Sequence, residues 1–232
     1  MQKNLEILYE DNHLIAVNKP SGVLVQGDKT GDEPLSEKLK QFIKVKDKKA
    51  GDVYLGVPHR IDRPTSGIVL FAKTSKALSR LNKMFHDKEI EKTYWAVVKN
   101  KPAKEQDVLV HYLTRNPQKN KSFASSKESS NAKKSELAYE VIFELSNYYL
   151  LAIYPKTGRH HQIRSQLSFI GCPIKGDLKY GFDRSNEDAG ISLHARSIRF
   201  THPVKGDEVY IEALPPKNEK VWKAIRKLYL NK

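Results

Sequence analysis

Two apolar, β-forming runs, AYEVIFEL and YYLLAIYP, are separated by only Ser146 and Asn147. A two-residue connection leaves no room for a crossover, so the runs must pair as an antiparallel hairpin. The same pattern of short apolar runs broken by turn residues recurs along the chain. Residues Ile7 to Val17 read as two short strands around Asp11-Asn12, and NKPSGVLVQGD reads as a further short strand between Pro and Gly breaks. Ile68 to Lys73, KTYWAVVKN, DVLVHYL, LHARSIRF and VYIEAL complete the strands. Helical spacing is confined to four segments. EPLSEKLKQFIKV carries Leu35, Leu39 and Ile43, and SKALSRLNKMFHDKEI carries Leu78, Leu81 and Phe85. A third helix is expected after Thr157 as N-cap, with His160, Ile163, Leu167 and Ile170 on one face, ending at Gly171. A fourth closes the chain from Asn218 to Leu230. Strands outnumber helices and several connect as hairpins, which predicts an α+β fold on a largely antiparallel sheet. The polar, Lys/Ser-rich stretch NPQKNKSFASSKESSNAKKSE reads as a surface loop or mobile hairpin, not a domain linker.

At 232 residues the chain can bury a substantial core, as one domain or one domain with two lobes. Forty-one Lys and Arg against 27 Asp and Glu give a formal net charge of +14. That balance favours a polyanion, because cations that neutralise phosphates release condensed counterions. There is no apolar stretch of eighteen residues, and the first residues lack a basic-then-apolar leader pattern, so a cytoplasmic protein without membrane contact is expected. A single cysteine, Cys172, agrees with a reducing compartment.

The familiar cofactor motifs are missing: no GxxxxGK, no GxGxxG after a strand, no paired CxxC and no GxSxG elbow. Adjacent His160 and His161 lack metal-ligand spacing on a helix, where ligand pairs sit at i,i+3 or i,i+4. No metal and no cofactor are expected. What remains is a carboxylate in an unusual setting, HRIDRPTSGIVLFAKT, where Asp62 lies between Arg60 and Arg63 ahead of a Pro-Thr-Ser-Gly turn. Taken alone, Asp62 reads as an Asx-type cap of its own turn.

Read with TGRHHQIR, GCPIKGDLKYG and LHARSIRFTHPVKGDEVYIEALPP, the stretch HRIDRPTSG resembles the RluA-type family of pseudouridine synthases, in order and over about residues Leu5 to Pro216. The resemblance implies a pseudouridine-synthase-like catalytic domain over 1–232, with its core at about 5–216 and a C-terminal helix at 217–232. It implies two lobes, flanking helices and a central RNA-binding cleft, without the small N-terminal RNA-binding domain that many relatives carry. The implied activity is isomerisation of uridine to pseudouridine in ribosomal or transfer RNA, without a cofactor, by a monomer. Asp62 then matches the catalytic carboxylate, and its action as nucleophile or base is left open by the sequence. Arg164 matches its ion-pair partner and Tyr94 the ring that stacks on uracil and offers a hydroxyl for proton transfer. Arg60 would prop the stack left by the flipped nucleotide. Arg159 would hold a phosphate at a helix start. His59, Thr65 and Ser66 would order the loop, with His59 and Thr65 close to RNA, and Lys73, Lys92 and Lys175 are candidate backbone contacts. His160 stands where the family usually has Thr or Ser, and Gln166 where His is common, departures that bear on RNA preference. The rival readings are a non-catalytic RNA-binding or ribosome-assembly protein, and a base-processing enzyme such as a glycosylase.

Overall fold

The structure is a computed structural model describing residues 5–28 and 30–230. In chain order the elements are β1 (Glu6–Glu10), β2 (Leu14–Lys19), α1 (Leu35–Lys46), β3 (Ser66–Ala72), α2 (Ser75–Asp87), β4 (Glu91–Val98), β5 (Gln106–Asn116) and β6 (Lys121–Ser125). They continue with β7 (Lys133–Leu145), β8 (Tyr148–Pro155), α3 (Gln162–Phe169), a 3-10 turn (Leu178–Tyr180), β9 (Leu193–Thr201), β10 (Glu208–Glu212) and α4 (Lys220–Leu230). The fold is α+β with a largely antiparallel sheet, as the hairpin grammar predicts. The chain divides into two compact units, one made of the residues up to Glu91 and from Ala195 onward, the other of Lys92–His194.

In the first unit β1 pairs with β2, β2 with β3, and β9 with β10, all antiparallel. Strand β3 is buried along its whole length, which is why its sequence is a continuous apolar run instead of an alternation. Helix α2 starts at Thr74, whose hydroxyl accepts the Ala77 N–H at 3.2 Å. Its buried face is Ala77, Leu81 and Met84, at three- and four-residue spacing, and it meets Leu14, Leu70, Ile198 and Phe200 in one core. Burying a side chain such as Leu81 stabilises the unit by about 2 kcal/mol. Helix α1 buries Leu35, Leu39 and Ile43.

In the second unit the strand order is β4-β8-β7-β5-β6. The expected hairpin is present, with Leu145 opposite Tyr148 across Ser146-Asn147. Its core gathers Val98, Leu137, Leu151, Ile153, Leu167 and Leu193.

Two expectations need correction and a third is narrowed. No further strand forms in NKPSGVLVQGD beyond Lys19, where β2 ends; the rest is a loop whose Val23 carbonyl accepts from the Lys19 ammonium. Of the two readings of the Lys/Ser-rich stretch the hairpin is the one present, with a strand, β6, registered against β5 from Tyr112↔Ser125 to Asn116↔Lys121. Helix α3 starts at Gln162, not after Thr157. His161 sits in the left-handed region at φ 52°, and the Thr157 hydroxyl is bonded to Glu136 and to Gln162 Oε1, so residues 157–161 form a braced loop.

Candidate active site

The segment carrying Asp62 enters β3 as a loop fixed through its own backbone. The Asp62 carbonyl accepts the Thr65 N–H at 3.0 Å, closing a turn over Arg63 and Pro64. The Arg63 carbonyl accepts the Gly22 N–H at 2.8 Å, the Arg63 Nε donates back to the Gly22 carbonyl at 3.0 Å, and the guanidinium pairs with Asp32 at 2.6 Å. Gly67 ends the turn at φ +113°, and a Cβ there would lie 2.3 Å from the Ala195 carbonyl oxygen. Only glycine allows that conformation and approach.

Beneath this loop lies a residue that the sequence alone did not single out. Lys19, at the end of β2, is fully buried, and its ammonium donates to the carbonyls of Pro20 (3.1 Å), Val23 (2.9 Å) and Arg63 (3.1 Å). Burial pulls its pKa down, the Asp62 carboxylate opposes that, and Arg63 adds to it, leaving the amine at about 7. A lysine directly before Pro-x-Gly, where an apolar strand ends, was the available signal.

In the second unit Tyr94 stands on β4 opposite Ile153 of β8, half-buried against the core. Arg164, on α3, is buried and makes a two-pronged ion pair with Asp177, Nε to Oδ2 at 2.7 Å and Nη2 to Oδ1 at 2.9 Å. Its guanidinium also lies over the Tyr180 ring, 5.0 Å from the centroid. The Tyr180 hydroxyl meets His161 Nδ1 at 3.0 Å and accepts the Ser122 N–H at 2.8 Å. Asp177 and Tyr180 were visible only as letters of GDLKYG, and the ion pair that gives Asp177 its place is thirteen residues long in sequence.

The other candidate residues fall into distinct settings. Arg60 is exposed on the Asp62 loop. His59 is half-buried, accepts the Leu70 N–H at 2.9 Å and stacks on Phe85, so its ring anchors the loop. Thr65 is buried, and its hydroxyl has no partner among the described residues, whereas Ser66 opens β3. Lys73 is ion-paired with Glu10 at 2.8 Å. Lys92 is half-buried, and burial lowers its pKa. Lys175 donates to Asn186 Oδ1 at 2.6 Å, and Gly176 beside it leaves no space for a Cβ against that asparagine. Arg159 is exposed, with its backbone N–H bonded to Gln162 Oε1 at 3.0 Å. Gln166 is fully buried and donates to the Leu109 carbonyl, so this departure from the usual histidine acts on packing beneath β5.

Among the described residues no group of three or more His, Cys, Asp or Glu could hold a metal ion, and no helix is long and apolar enough to cross a membrane.

Comparison with known proteins places these features. Residues 13–169 match the family described as RNA pseudouridylate synthase. The chain is 35% identical over 228 residues to a ribosomal large subunit pseudouridine synthase C of Vibrio vulnificus, covering 96% of this chain and 69% of that one. It is 33% identical over 240 residues to a tRNA pseudouridine synthase C of the same organism, covering 95% and 94%. Among solved structures, the human RNA pseudouridylate synthase domain containing 4 superposes with a TM-score of 0.78 at 24% identity, over 95% of this chain and 92% of that one, a likeness of fold. The backbone-locked aspartate loop, the ordered motifs and the match over most of the chain have one meaning: the chain belongs to the RNA pseudouridylate synthase family, with the motifs of its RluA-type members.

Proposed function

We propose that this pseudouridine synthase acts on structured ribosomal or transfer RNA, with residues 1–232 forming a catalytic domain, and that Asp62 is the carboxylate on which the reaction turns. The isomerisation breaks the bond between ribose C1′ and uracil N1, rotates the retained base, joins C5 to C1′ and releases the C5 proton while N1 takes one up, so that atoms balance. Breaking the glycosidic bond builds positive charge on the sugar, and an ionised carboxylate at that point stabilises the charge or captures the sugar covalently. The detached uracil must be kept and water excluded, so no second carboxylate is required. Arg164, held flat by Asp177, is the proposed counter-ion that keeps Asp62 ionised away from water. Tyr94 is the proposed stacking partner of the uracil and the carrier of a hydroxyl for proton transfer. A uridine inside a duplex must be flipped out at a cost of a few kcal/mol, and exposed Arg60 on the same loop as Asp62 is suited to fill the gap.

The observation that carries this reading is the Asp62 loop itself. Its turn, its glycine and its lysine all fix main-chain position, and they leave the half-buried Asp62 carboxylate at a rigid point. Preorganisation of this kind is what a reacting carboxylate needs. The test is Asp62→Asn assayed by tritium release from C5-labelled uridine in bulk ribosomal and transfer RNA. The variant is expected to release nothing above background while still binding RNA; turnover retained by the variant refutes the assignment.

A further inference from the structure

Asp177 and Tyr180 bound the 3-10 turn of GDLKYG, where the Tyr180 N–H bonds the Asp177 carbonyl at 3.0 Å. Side chains three residues apart in such a turn stand one above the other. Both are buried and reach the same guanidinium, whereas Leu178 and Lys179 between them are exposed. The Asp177 carboxylate takes one edge of Arg164 through Nε and Nη2, and the Tyr180 ring lies under its face, with Cζ 5.0 Å from the centroid. An edge contact resists sliding and twisting; the softest motion it leaves is a rocking of the guanidinium about the line through the two carboxylate oxygens. A ring under the face opposes that rocking, because the cation is drawn to the ring's negative face. Asp177 and Tyr180 are thus complementary holds on one side chain.

The ring is itself fixed from several sides. Its hydroxyl accepts the Ser122 N–H at 2.8 Å and meets His161 Nδ1 at 3.0 Å, and the Tyr180 carbonyl accepts the Ser168 hydroxyl of α3 at 2.7 Å. Since the phenol oxygen already accepts an N–H, the network assigns the phenol proton to the bond with His161 Nδ1. His161 then presents a lone pair there and carries its own proton on Nε2. His161 is buried, stacks on His160 with centroids 3.8 Å apart, and holds a left-handed backbone at φ 52°. That conformation is costly for a residue other than Gly, Asn or Asp, and such strain gathers at functional sites. The motif TGRHHQIR therefore supplies both the arginine and the group that holds the ring beneath it.

We propose that Tyr180 and His161 are positioning residues for the isomerisation: the ring sets the plane of Arg164, and the imidazole sets the ring. The proposal rests on the role given to Arg164 above and names the groups through which that role is exercised. Tritium release from C5-labelled uridine in bulk ribosomal and transfer RNA, resolved into kcat and KM for the full-length protein, tests it. His161→Gly and His161→Asn both suit the left-handed backbone, but only asparagine keeps an acceptor close to the place of Nδ1. His161→Gly is expected to lower kcat about fivefold with KM within about twofold, and His161→Asn to restore most of the loss. Tyr180→Met removes the ring face and is expected to lower kcat about tenfold or more. Introduced into Arg164→Lys, whose ammonium has no plane to set, the same change is expected to cost less than about twofold. Equal kcat in the two His161 variants, a loss confined to KM, or an undiminished effect of Tyr180→Met in Arg164→Lys overturns the positioning roles, even where Asp62→Asn is inactive. Where Tyr180→Met does not fold or Arg164→Lys releases no tritium, the His161 pair decides alone. Wild-type turnover in Arg164→Lys overturns the role of Arg164 and this proposal with it.

Discussion

Asp177 accepts hydrogen bonds from both Nε and Nη2 of Arg164, and both side chains are buried. Two prongs fix the guanidinium plane as well as its position, which a single contact does not. The guanidinium is thereby held in one orientation.

Asp177→Asn should therefore lower both stability and turnover. Breaking a buried pair leaves an uncompensated charge and costs about 3 kcal/mol or more, to be read from urea unfolding. Turnover measured by tritium release should fall at least tenfold at temperatures where the variant is folded, because the guanidinium loses its orientation. A destabilised variant with wild-type turnover would confine Asp177 to stability.

Lys19 makes a prediction about pH. Its folded pKa, about 7, lies below the ordinary lysine value of about 10.4 in the unfolded chain. Between those values the unfolded chain binds more protons than the folded one, so Lys19 makes stability rise with pH across that window, by about 1 kcal/mol per pH unit. Lys19→Met removes the titrating group. Urea unfolding of the two proteins from pH 7 to pH 10, as marked by the same limits, should show the wild type gaining on the variant as pH rises. Parallel curves would mean that the carbonyl cage keeps the ammonium charged throughout.

Gly67→Ala places a Cβ against the Ala195 backbone in a conformation that alanine adopts only with strain. The expected cost is about 3 kcal/mol, which for a chain of this size lowers the melting temperature by about 6–12 °C. Differential scanning calorimetry measures it. Gly22→Ala is the useful contrast, since φ is also positive there but nothing lies within 4 Å of the added methyl, and it should cost about 1 kcal/mol.

What could be read from the sequence was what local chemistry decides. The β7–β8 hairpin was legible because two residues cannot connect its strands any other way. Helices α1 and α2 were legible because Leu35, Leu39 and Ile43, and Leu78, Leu81 and Phe85, recur at helical spacing, although the most deeply buried positions of α2 are Ala77, Leu81 and Met84. Strand β6 escaped because its residues are polar and its state is imposed by the register of β5, which is a tertiary effect. The start of α3 was misjudged because Thr157 resembles an N-cap in sequence, yet its hydroxyl is engaged by Glu136, twenty-one residues away. Asp62 was singled out through motif spacing, whereas Lys19 was not, because a lysine at a strand end ordinarily points to water. Its burial depends on the Arg63 carbonyl, forty-four residues further on.

The groups that Lys19 grips belong to the main chain at Pro20, Val23 and Arg63, and every amino acid supplies the same oxygen. The side chain at position 23 can therefore vary without altering the oxygen that holds the Asp62 loop, whereas Arg63 also braces it through Gly22 and Asp32. In this architecture a single buried cation gathers three turns of main chain that the sequence keeps apart.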